Sequence, residues 1–133
     1  PKAIDRAIAQ EAQKQGLQPL PVRQGYSACS VALVDGESAI TADQGMFQAL
    51  RTKGFAVLLI RPGHIALPGY DTGFIGGCCG KLAPDKLAFA GTLSSHPDGE
   101  RMREFLHSRG VAPVELREGP LVDVGGILPL RER

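Results

Sequence analysis

Apolar positions along the chain change period several times, and each change predicts an element. Ile4, Ala7, Ile8 and Ala12 recur at helical spacing, with Asp5 early and Lys14 late, and Gly16 followed by Leu17 stops the predicted helix. Pro19 and Pro21 then hold the chain extended, and residues 22–30 (VRQGYSACS) follow no regular period. Val31 to Val34 and Ser38 to Thr41 read as two short strands about an Asp35-Gly36 turn. Asp43 is placed to cap a helix from Gln44 to Lys53 with Met46, Phe47 and Leu50 on its apolar face, and Gly54 ends it. Phe55 to Ile60 is an unbroken apolar run, the pattern of a strand buried on both faces, and Arg61-Pro62-Gly63 breaks it. Residues 64–80 (HIALPGYDTGFIGGCCG) are a glycine-rich loop in which backbone shape matters more than side-chain packing.

The pattern then starts again. Short β runs around Lys81-Leu82 and Leu87 to Ala90 flank a Pro84-Asp85 turn. Ser95-His96-Pro97-Asp98 reads as a helix opening, with Ser95 and Asp98 spaced as in a capping box and proline suited to the first turn. Met102, Phe105 and Leu106 form the buried face, Gly110 ends the helix, and Val111 to Leu116 is a further strand. Gly119-Pro120 turns the chain into an apolar stretch from Leu121 to Leu130. The order strand, turn, strand, helix, glycine, strand, Gly-Gly corner therefore occurs over residues 30–77 and again over 80–126. Gly54 corresponds to Gly110, the corner Phe74 to Gly77 to Asp123 to Gly126, and Arg61-Pro62-Gly63 to Arg117-Glu118-Gly119. A repeat of about fifty residues built as ββαβ predicts an α/β protein with mixed sheets. The expected division is a helix and linker over 1–29, one unit over 30–77 and a second over 78–133.

Composition narrows the partners. The 133 residues suffice for one domain, and 43% are hydrophobic. The net charge of +1 and the absence of tryptophan give no basis for nucleic-acid binding. The longest apolar run is far too short for a membrane helix, so no membrane role is expected. Three cysteines, Cys29, Cys78 and Cys79, cannot make a disulfide framework, and with no export signal a reducing cytoplasm is the expected setting. The scattered histidines and the lack of a C-x-x-C pair predict no metal site. No cofactor is expected, because Gly73 to Gly77 does not open a helix and no phosphate-loop motif occurs.

Four motifs carry a family resemblance: VxQGYxxCS over 22–30, TxDxG over 41–45, PGYDxGFIGGxxG over 68–80 and DxGGI over 123–127. With the repeated ββαβ order they resemble the pentein, or guanidino-group-modifying, fold, in an uncharacterised bacterial branch. The resemblance implies a fan of five such units. Two units and an N-terminal helix make a partial fan, so an upstream segment of the same protein or a second copy is the expected partner. It also implies a small guanidino or amino-acid-like ligand. If the protein is an enzyme, it implies cysteine-dependent hydrolysis or transfer at an amidine or guanidino carbon. Ile75 stands where the family's hydrolases carry an acidic residue, and Cys78 where they carry an aspartate. The alternative is a non-catalytic ribosome- or protein-binding module on the same fold.

Candidate chemistry concentrates at the corners. Cys78 and Cys79 are either nucleophiles in a glycine loop or small buried thiols filling a tight bend. His64 and His96 are candidate general bases, each with a surface or capping role as its alternative. Asp71 and Asp123 are candidates to hold a guanidinium, or else to bond their own loop amides. Asp43 is most simply a helix cap. Gly76 and Gly77 would bring backbone amides to a ligand, and Tyr26 and Tyr70 either wall the pocket or lie half-buried with their hydroxyls satisfied. The corners at 70–80 and 122–127 are expected to converge, with Asp71, His64, Cys78, Cys79 and Asp123 around one concavity.

Overall fold

A computed structural model describes residues 17–19 and 30–129. The predicted N-terminal helix, Tyr26 and Cys29 lie outside the described residues. The strands are β1 (Leu17–Pro19), β2 (Val31–Asp35), β3 (Ser38–Thr41), β4 (Ala56–Leu59), β5 (Cys79–Ala83), β6 (Lys86–Phe89), β7 (Ala112–Glu115) and β8 (Ile127–Pro129). Helix α1 spans Gln44–Thr52 and α2 spans Gly99–Ser108. Among the described residues no helix is long and apolar enough to cross a membrane.

The architecture is α/β, with two mixed three-stranded sheets of the same build. β2 pairs antiparallel with β3, and β3 pairs parallel with β4. β5 likewise pairs antiparallel with β6, and β6 parallel with β7. Both hairpins slip register at the same place, between Leu33 and Asp35 in one and between Lys81 and Ala83 in the other. The segment between second strand and helix is short in the first unit (42–43) and long in the second (90–98). A short ladder of β1 with β8 completes the pairing.

Burial differs from what the hydropathy pattern predicts. The apolar run at Phe55–Ile60 becomes β4, an edge strand, and all four of its residues are only half-buried. The far less apolar Ser38-Ala39-Ile40-Thr41 is fully buried as the central strand. Its hydroxyls tolerate burial because both are bonded: Ser38 Oγ donates to Asp35 Oδ1 (2.7 Å) and Thr41 Oγ1 to the Ser30 carbonyl (2.7 Å). One core joins the units, with Val34, Ile40 and Ile75 from the first packed into the same cluster as Leu87, Phe89 and Met102 from the second.

The helices begin differently. Asp43 caps α1 as expected, accepting the Met46 amide (2.9 Å). The predicted capping box at Ser95–Asp98 does not form. Leu93–Ser95 is instead a 3-10 turn, and Ser95 Oγ donates back to the Thr92 carbonyl (2.8 Å). This turn lies so close over Gly99 that a Cβ there would collide with the Leu93 carbonyl, and the α-helix starts only at that glycine. The Asp98 carboxylate is thereby free for partners in the first unit.

Candidate functional site

The two Gly-Gly corners meet. Ala66 and Val122 form a parallel bridge, and the Val124 and Gly126 amides both donate to the Gly77 carbonyl (2.8 Å each). Asp123 lies at the centre of this seam, 5% exposed. Its Oδ2 accepts the Phe74 amide and its Oδ1 the Gly125 amide, both at 2.9 Å. A Cβ on Gly73 or Gly77 would strike the Asp123 side chain, so those glycines make the space it fills. The carboxylate thus serves loop amides, the second of the two roles open to it from sequence. Gly76 and Gly77 are buried in a 3-10 turn over Ile75–Cys78, with no open face toward a ligand. Asp71 is exposed, away from the Asp123 seam's interior.

The cysteines are not on a loop after a strand. Cys78 closes the 3-10 turn and Cys79 opens β5. Both are buried, and both thiols donate to the Ile75 carbonyl (3.2 and 3.3 Å). Burial pushes the Cys78 thiol well above its ordinary range, with Cys79 and the Asp123 carboxylate adding to the shift. A thiol held protonated in the core has the character of a packing group, not of a nucleophile.

The histidines do come together, although 32 residues separate them in sequence, with ring centroids 5.4 Å apart in an edge-on arrangement. His96 is not available as a general base. It is 3% exposed, its Nδ1 accepts the Asp98 amide (2.9 Å), and its Nε2 lies 3.2 Å from the Arg61 carbonyl. Because Nδ1 accepts, the ring proton sits on Nε2 and is donated to Arg61. Burial lowers the His96 pKa from its ordinary 6.5, against the raising effect of the Arg61 carbonyl and of Asp98. Asp98 is 1% exposed: Oδ2 accepts the Arg61 amide (2.7 Å) and Oδ1 the Arg101 guanidinium (3.1 Å). Those bonds, the Arg61 amide first, hold its carboxyl below the usual range against the opposing effect of burial.

A cleft of about 120 Å³ lies at the carboxyl ends of the parallel strands β3 and β4. Ala42 and Asp43 follow β3, and Ile60 to Gly63 follow β4; Ile65, Phe74 and Ile75 complete a mainly apolar wall. The crevice at the carboxyl end of parallel strands is where open α/β sheets place ligands. Asp43, at the start of α1, and Arg61 are the charged residues on it. Next to Arg61, His64 holds a left-handed backbone (φ 65°), a conformation unusual for a residue with a side chain. Residues 1–128 match the family of unknown function DUF6873. The chain belongs to that family. No curated protein and no solved structure matches it significantly.

In this DUF6873 chain the sequence reading missed Arg61 and Asp98 as site residues. Arg61 reads as a strand breaker before proline, and Asp98 as half of a capping box. The one local signal was His96-Pro97-Asp98, in which proline spaces two polar side chains so that the second one's amide reaches the first one's ring.

Proposed function

We propose that the DUF6873 chain binds a small polar ligand of guanidino or amino-acid type in the cleft at the ends of β3 and β4, on a pentein-like framework. The observation that carries this is the placement of one carboxylate, Asp43, and one guanidinium, Arg61, on a single small cleft with mainly apolar walls. A ligand with a cationic head and a carboxylate would pair with both, and charge-assisted bonds of that kind are strong in a partly desolvated site. The Arg61 side chain is 67% exposed, and its Nε lies 3.7 Å from Asp98 Oδ2, a loose pair with which a ligand carboxylate would compete. The pentein part of the proposal draws its support from the matching strand order and pairing senses of the two ββαβ units. A cytoplasmic setting is in keeping with Cys78 and Cys79, neither of which forms a disulfide. The reading is one of binding, since the described thiols are buried.

The test is calorimetric titration with L-arginine, agmatine and L-ornithine. L-arginine is expected to bind. Asp43→Asn, which keeps the helix cap and removes the charge, should weaken binding by about 1.5–3 kcal/mol. Asp123→Asn should weaken binding less than Asp43→Asn, because that carboxylate bonds loop amides and does not line the cleft. A wild-type protein indifferent to all three compounds would sink the reading and leave the non-catalytic docking module. The feature that favours that module is β4, an edge strand of Ala56, Val57, Leu58 and Leu59 with neither charge nor proline.

A further inference from the structure

Arg61 is gripped mainly by its backbone, and its guanidinium Nε also lies 3.7 Å from Asp98 Oδ2. The Asp98 carboxylate takes its N–H, the His96 ring donates to its C=O, and the Asp98 amide in turn donates to the same ring. Both gripping side chains come from the long segment that precedes α2 in the second unit, whereas the cleft belongs to the ends of the first unit's strands. We propose that His96 and Asp98 are positioning residues for the cleft: by fixing Arg61 at both its backbone groups they set where its guanidinium meets the ligand, and a proton on His96 releases that hold.

The geometry gives the reason. With its proton on Nε2, the neutral ring satisfies one acceptor and one donor at once. A second proton must go to Nδ1, where it would face the Asp98 N–H, donor against donor, at a site almost without water. Besides burial, the Arg61 carbonyl and Asp98 favour the charged ring, His64 and the Arg61 guanidinium disfavour it, and Arg101 ties up the other Asp98 oxygen. The balance, led by burial, keeps the ring neutral and the grip closed at neutral pH, and protonation at lower pH opens it. Gly63 (φ 92°) and the left-handed His64 (φ 65°) follow in the same turn, so the backbone beyond Pro62 has the freedom to let Arg61 shift once the grip is lost.

This inference rests on the cleft reading for its ligand arm, so the experiment has a second arm without ligand. L-arginine keeps its charge between about pH 7.5 and 5, so any change of affinity there belongs to the protein. Wild-type affinity should fall toward the acid end of that range, by about threefold or more once the ring is protonated. His96→Gln puts an amide where Nε2 was, keeping the donor to Arg61 while removing the titration and the acceptor of the Asp98 N–H; its affinity should be flat with pH. His96→Asn keeps only the Nδ1 side and should bind about tenfold more weakly at every pH. In the ligand-free arm, the backbone amide of Arg61 in a nitrogen-15 NMR titration of the wild type should move with the His96 ring, and it should stand still in His96→Gln. An Arg61 amide indifferent to the His96 titration overturns the proposal whether or not arginine binds. So does a folded His96→Asn with wild-type affinity, or a His96→Gln that keeps the pH response, since His64 is still present there. Failure of L-arginine to bind, with the Arg61 amide still following His96, would reject the choice of ligand and leave the grip standing.

Discussion

Asp123 shows how one carboxylate can replace the side chains a tight corner excludes. Two glycines give it room, and it returns bonds to two amides that the bend would otherwise orphan. Gly77→Ala should therefore destabilise the fold by about 1–3 kcal/mol or more, since the new methyl meets the carboxylate and not an empty space. Asp123→Ala, which strands both amides, should cost about 2–4 kcal/mol in denaturant unfolding. A cost near zero for either would mean the seam is looser than the contacts indicate. The sequence showed that a carboxylate and glycines lie at these corners, but whether it would face a ligand or its own loop depended on Phe74, 49 residues away. His96 makes a second prediction at this scale. Its folded pKa is lowered, so the unfolded chain takes up the proton first; stability is full above 6.5 and falls as the pH drops below it. His96→Gln should flatten that part of the stability profile, measured by thermal melting across the range.

Among the elements, the order of units was legible and the depth of burial was not. Strand and helix positions follow from turns and period, and β2 through α1 lie within a residue or two of where the pattern puts them. Which strand is central does not follow, because it depends on neighbours the pattern does not name. β3 carries two hydroxyls and is wholly buried, and β4 carries none and lies at an edge. Ile40→Ala should accordingly cost about 2–5 kcal/mol and Leu59→Ala distinctly less, a ranking opposite to the one the apolar run suggests. The start of α2 was misread for a related reason: Ser95 and Asp98 have the right spacing for a cap, but Asp98 is drawn to Arg61 in the other unit. The turn of the first hairpin has its own acid signature. Bonds from Ser38 and then the Glu37 amide, with Arg109 adding, lower the Asp35 pKa from 3.8 to about 2. That contribution is complete above 3.8 and is lost as the pH falls through about 2, and Asp35→Asn should remove it from an acid titration.

At the scale of the molecule the two ββαβ units are bound into one body. Arg109 at the end of α2 reaches Asp35 (3.2 Å), Lys81 Nζ donates to the Val34 carbonyl (2.6 Å), and one core runs between the sheets. Unfolding of the described region should follow a single cooperative transition, with near- and far-ultraviolet signals coinciding. The edges are unequal: β7 carries Pro113, which lacks the amide an added strand would need, while β4 has no such guard. The ladder between β1 and β8 bears on the order in which the chain assembles. Its three residue pairs join segments more than a hundred residues apart, and drawing together a loop of that length costs about 4 kcal/mol in chain entropy. So short a ladder cannot repay that cost before the sheets it rests on exist. It closes on a scaffold already built, and it is the first part of the architecture to let go when the chain begins to come apart.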